Sequence, residues 1–298
     1  DEEFWYDDGS VVLVAQDVAF RVYRGWLARR SEVFSGMFSI PQRPGDERIC
    51  GCPIVRLPET AGALQELLYA LFFGKIYDPS NDAELHSLSY RIRLAHKYSI
   101  DDLLEQSLEE LKRHFPTTLS AWDAVPREYS ARAITAVNLA RVTETPSILP
   151  SALYICCQLP EDTLLSGTAH PDGTSETLSR EDLVRCLAAR LQLCQSQMSV
   201  AYDAFRNGKC KGGACVSALN RLCTEAVDYA ETRPHRADPL MRWNVFVNAT
   251  LPRVGARGQP CDDCVAAIHD RIEELRVVWW LELPLYTNVD MAEVDWDA

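Results

Sequence analysis

The chain has 298 residues, 47% of them hydrophobic, and a formal net charge of −13. That length favours two domains over one, and the acidic balance repels a polyanion, so no nucleic-acid partner is expected. No apolar run approaches the roughly 18 residues that span a bilayer, so no membrane segment is expected either.

The elements read from the N-terminus as an α+β domain. Val11 to Ala15 is a continuous apolar run behind "DDGS", the pattern of a buried strand after a turn. Phe20 and Val22 alternate with Arg21 and Tyr23, which predicts a second strand and a hairpin around Gln16 and Asp17. Gly25 breaks that strand, and Leu27 and Ala28 make a short helical turn. Ser31 is an N-cap for the next helix, whose Phe34, Met37 and Phe38 share one face. "PQRPGDERICGCP" is a loop, and "IVRLP" is a third strand. From Ala61 the leucines at 64, 67, 68 and 71 have the helical period, and Gly74 is placed to end that helix. Residues 83–98 and 100–115 predict two more helices, and Pro116 stops the second.

Strand signals fade beyond Pro116. Helices are predicted over 131–142, 179–202, 215–229 and 264–281, with Leu183, Leu187, Leu191 and Cys194 as an apolar stripe on the longest. "SGTAHPDGTSET" reads as an exposed, mobile loop. The expected division is therefore an α+β domain over residues 1–116 and a mostly α-helical region over 117–298.

The order strand, strand, short helix, short helix, strand, helix resembles the BTB/POZ family, and is similar to the BTB/POZ proteins of mushroom-forming fungi. The resemblance rests on "VVLVAQDVAFRVYRGWLARRSEVFSGMF", "IVRLPE", "LLYALFFGKIY" and "LAHKYSIDDLLEQSLEEL" and covers about the first 115 residues. It implies a protein–protein interaction module that associates with itself or with another BTB protein. The dimer surface would lie on the first short helix, near Gly25, Trp26 and Arg29. It also raises two alternatives: a substrate adaptor for a cullin-type ubiquitin ligase and a BTB-type transcription regulator. Adaptors in the family carry hydrophobic-x-Glu after the second short helix. Here the cullin contact would involve Phe34, Ile40 and Gln42, so an amide replaces the carboxylate. A charged hydrogen bond is thereby lost, on the order of 1.5–3 kcal/mol. The regulator alternative needs a basic DNA reader, which the acidic tail does not supply. A second departure is Tyr23, where the family commonly has His; its hydroxyl needs a partner if buried.

There are 11 cysteines, an odd and irregular set. This reads as an intracellular protein of the cytoplasm or nucleus, not as a secreted disulfide scaffold. The sequence begins at Asp1, not Met, so it is expected to be a piece of a longer chain. "GKCKGGAC" and "QPCDDC" supply Cys210, Cys215, Cys261 and Cys264, which could form a closed tetrahedral site for a structural zinc. Gly212 and Gly213 would ease the turn, and His235 or His269 could replace a cysteine. A disulfide or redox pairing and plain thiols are the other readings, because a four-residue gap fits a zinc knuckle poorly. No nucleotide-binding, zinc-protease or nucleophile-elbow motif is present, and His86, His96 and His114 read as core or rim residues of helices. No catalytic residue and no other cofactor is expected, so the chain is not read as an enzyme.

Overall fold

The structure, a computed structural model, describes residues 1–41, 45–76, 84–125, 129–206, 210, 213–232, 237–251, 260–290, 292 and 294–297. It is α+β: a small mixed sheet with helices at the N-terminal end, then a mostly helical region. The chain divides into two units. One is Asp1–His114 together with Ala169–Glu176; the other is Phe115–Thr168 with Thr177–Ala298.

In the N-terminal unit the strands β1 (Val11–Ala15), β2 (Val18–Val22), β3 (Arg48–Ile49) and β4 (Cys52–Leu57) form a sheet in the order β2-β1-β4-β3. β1 pairs antiparallel with β2 and parallel with β4. It is thus central, which accounts for its unbroken apolar run: both faces are covered. Gln16 takes a left-handed backbone (φ 52°) in the tight β1–β2 turn. Before β1, a side chain at Gly9 would place its Cβ 2.9 Å from the Tyr6 carbonyl oxygen, so the chain there passes too close for any other residue.

Two short helices follow, α1 (Arg24–Arg30) and α2 (Glu32–Ser39). Ser31 separates them, and its Oγ accepts the Phe34 N–H at 3.0 Å as a helix cap. The same hydroxyl donates to the Tyr98 carbonyl, tying the helix pair to a distant part of the chain. α3 (Ala61–Phe73) ends on Gly74 in the left-handed region (φ 65°). It is followed by α4 (Leu85–Lys97) and α5 (Asp101–His114). Leu13, Phe20, Phe34, Leu64, Leu67 and Tyr98 lie in the core these elements enclose. A buried ion pair, Arg91 with Glu110, ties α4 to α5.

The helical unit contains α6 (Leu119–Ala124), α7 (Arg132–Val142), α8 (Leu149–Cys157), α9 (Glu161–Ser166), α10 (Arg180–Arg206), α11 (Gly213–Thr232), α12 (Trp243–Thr250) and α13 (Asp262–Tyr286). Every residue of α8 is buried, so α8 lies inside the unit with other helices around it. Tyr154 on α8 packs against Trp122, donates to Asp238 Oδ1 and accepts the Leu240 N–H at 3.3 Å. The stripe expected on α10 is displaced. Leu187 and Leu191 are exposed, and Cys186, Ala189, Leu193 and Val200 face inward. The segment expected as an exposed, mobile loop forms a small hairpin of β5 (Thr168–Ala169) and β6 (Ser175–Glu176), with His170 buried. No helix among the described residues is long and apolar enough to cross a membrane.

Candidate metal centre and exposed aromatic surface

The four cysteines singled out by spacing come together. The sulfurs of Cys210, Cys215, Cys261 and Cys264 all lie within 4.8 Å of one another. Four sulfurs around zinc at about 2.3 Å would stand about 3.8 Å apart. The Cys210 and Cys261 sulfurs are 3.3 Å apart, so small shifts would suffice to reach a tetrahedron. The cluster is geometrically suited to hold a zinc-like metal ion.

Local structure explains how residues 51 positions apart can meet. Cys215 is the third residue of α11, and Cys261 caps α13 with Cys264 in its first turn. Two helix starts therefore converge on the sulfurs, and helix N-termini favour negative charge. The Cys261 N–H donates to the Cys215 sulfur at 3.4 Å. The Cys264 amide and the neighbouring thiols lower Cys261 to about 7. Cys210, its thiol held by Cys261 and Cys264, is pushed up to about 12. Protons are thus shared unequally among sulfurs that a divalent cation would hold as thiolates. Asp262 and Asp263 are exposed in the first turn of α13, where their charge suits the helix dipole. His269 does not join the cluster: its Nδ1 lies 2.6 Å from Asn244 Oδ1. Gly212 and His235 lie outside the described residues.

The remaining described cysteines do not form a second site of this kind. Cys156, Cys157 and Cys186 are buried in the helical unit, and burial pushes the Cys156 thiol up. No disulfide links the described cysteines.

The residues expected at a dimer surface, Gly25, Trp26 and Arg29, are all exposed on α1. Trp26 retains 40% of its accessible surface. It does not stand alone, because its ring lies 6.4 Å from that of Phe72, which lies 5.6 Å from Tyr6; Tyr6 in turn stacks on Tyr23 at 5.0 Å. Phe73, whose ring lies against Phe4 and Tyr69, is 59% exposed. The Tyr23 hydroxyl is at an exposed position and donates to Asp8 Oδ1 at 2.8 Å.

Of the residues expected at a cullin contact, Ile40 is 66% exposed immediately after α2. Phe34 is a correction. It is fully buried, its ring stacked on Tyr98 at 4.4 Å, so it holds α2 in place and cannot itself meet a partner. Gln42 lies outside the described residues.

One further constellation carries no sequence motif. His86, Tyr90 and Arg93 share a face of α4, and His170, Asp172 and Glu176 of the β5–β6 hairpin lie against it. The spacing 86, 90, 93 marks one helical face, but its partners lie about eighty residues away in an unremarkable polar stretch. Comparison with protein-family models gives no match to this chain, and comparison with curated proteins gives none.

Proposed function

We propose that the chain is an intracellular binding protein, not an enzyme, whose N-terminal unit is a BTB/POZ-type module that associates with a second copy or with another BTB protein. The observation that carries this is the exposed Trp26 on α1, whose ring continues into an aromatic strip of Phe72, Tyr6 and Tyr23. An exposed tryptophan at the edge of half-buried aromatic rings is the kind of side chain enriched where partners dock. Gly25 adds a place where a partner backbone can approach, since nothing lies within 4 Å of the position its Cβ would take. In the helical unit, Cys210, Cys215, Cys261 and Cys264 hold a structural zinc. Four sulfur ligands leave no open position for a reacting water, so the ion would pin helix ends and take no part in chemistry.

Sedimentation equilibrium over a concentration series tests the first point. The expected result is a dimer for the wild type and a monomer with an unchanged far-ultraviolet spectrum for Trp26→Arg. A wild type that stays monomeric at every concentration, and binds no other BTB protein, overturns it. The exposed Ile40 favours a second reading, the cullin-type ligase adaptor. The Gln42 amide weighs against it. A DNA-binding regulator is disfavoured by the net charge of −13.

A further inference from the structure

The β5–β6 hairpin is fastened to the N-terminal unit by two imidazoles that face each other. His170 Nδ1 lies 3.0 Å from His86 Nδ1 on α4. His170 Nε2 lies 2.6 Å from Glu176 Oε1, and Arg93 donates to Glu176 Oε2 at 2.6 Å. Thr60 donates to Asp172 Oδ2 at 2.9 Å. Glu59, Thr60, Tyr90, Arg93, His170 and Asp172 are among the residues around a cavity of about 330 Å³, which opens onto His170.

The hydrogen-bond directions follow from chemistry. A carboxylate only accepts, so His170 Nε2 carries a hydrogen. With His170 neutral, its Nδ1 is a lone pair, and His86 Nδ1–H donates to it. One added proton can be held: His170 then donates from both nitrogens, to Glu176 and to His86, whose own hydrogen moves to Nε2. A second added proton places N–H groups on both facing nitrogens. The hydrogen bond is then lost, and two cations meet at 3.0 Å.

We propose that this hairpin is a pH-operated strap, closed over α4 while the His86–His170 pair holds at most one added proton and released when both rings are charged. Glu176 is already divided between His170 and Arg93. Glu59 is paired with Lys97. The Tyr90 ring packs on His170 as a neutral phenol, its hydroxyl pushed up by burial and by Asp172.

The sign is fixed by which state can take the second proton. The open strap can take the second proton without that clash, so closure is lost as pH falls toward the state in which both rings are charged. Asp172 acts elsewhere on the scale. Burial raises its carboxyl, but hydrogen bonds from Thr174, Thr60 and Tyr90 outweigh this and bring it to about 2. Its contribution therefore fades only below about pH 4.

This inference is independent of the dimer and zinc readings and is tested on the full chain by amide hydrogen exchange, corrected for intrinsic rate, between about pH 7.5 and pH 5. The expected result is a loss of protection at the His170 and Thr174 amides of about tenfold or more on acidification, while β1 and β2 stay protected. His86→Asn offers an amide at the Nδ1 position that can donate or accept but does not titrate, so its hairpin should stay closed at both pH values. Flat protection in the wild type overturns the proposal. So does an equal acid response in His86→Asn, or simultaneous loss of the β1–β2 protection, which would mean general unfolding. Should His86→Asn fail to fold, His86→Gln takes its place, and the wild-type profile remains decisive alone.

Discussion

Ser31 shows how much one hydroxyl can fix. Its oxygen caps α2 by accepting the Phe34 N–H, and its hydrogen goes to the Tyr98 carbonyl, 67 residues away. Ser31 is buried, so alanine would leave both the helix N–H and the carbonyl without that partner and without water. Ser31→Ala should lower unfolding free energy by about 1–3 kcal/mol, measured by urea denaturation. A loss within about 0.5 kcal/mol, the size of an ordinary surface change, would show that neither bond matters. The cap was legible in the sequence because capping is local: a serine before an apolar helical face needs no tertiary knowledge. Gly74 was legible for the same reason, and it takes the left-handed conformation expected of it. The Ser31–Tyr98 bond was not legible, since nothing near Ser31 encodes a partner that distant. Phe34 was misjudged as a contact because its helical face was known but not which side of the helix met the core.

Among elements, legibility follows periodicity. α5, a helix with one wet face, is found close to its predicted span. α8 was missed because it is buried on all sides and has no polar face to generate a 3.6-residue period. The α10 seam was misplaced because Leu187 and Leu191 look like core residues, whereas smaller residues, Cys186 and Ala189, make the close contacts. The four-cysteine cluster was legible as a set, but its closure depends on α11 and α13 starting at the same place, which spacing alone does not determine. That dependence gives a prediction. Protein purified under reducing, chelator-free conditions should carry zinc in a one-to-one ratio by elemental analysis. A strong chelator, or Cys215→Ser, should lower the thermal midpoint by about 2–4 °C for each kcal/mol of stability removed. If the protein holds no zinc and added zinc does not move the midpoint, the sulfurs are plain thiols.

At the scale of the whole molecule, the sequence indicated the α+β start and helical remainder, and the structure has that composition. It did not indicate that Ala169–Glu176 belongs with the N-terminal unit, because chain order is a poor guide once a segment returns. What the molecule binds turns on a comparison of magnitudes. A cullin contact through Ile40 would retain its apolar knob but lack the charge at position 42. Replacing a charged hydrogen bond by a neutral one removes about 1–1.5 kcal/mol, or roughly 5- to 13-fold in affinity. The adaptor reading therefore fixes an order for capture of a cullin scaffold from native extract. Gln42→Glu should retain most, the wild type less by about that factor, and Ile40→Arg none, with Trp26→Arg as the control that perturbs only the aromatic strip. Self-association through Trp26 makes the opposite forecast: the three position-40 and position-42 forms all stay at background, and only Trp26→Arg changes the mass in solution. We expect the second pattern, because the carboxylate is missing while the aromatic strip is intact. A graded series rising with Gln42→Glu would reverse that judgement and make Ile40 the centre of the binding surface.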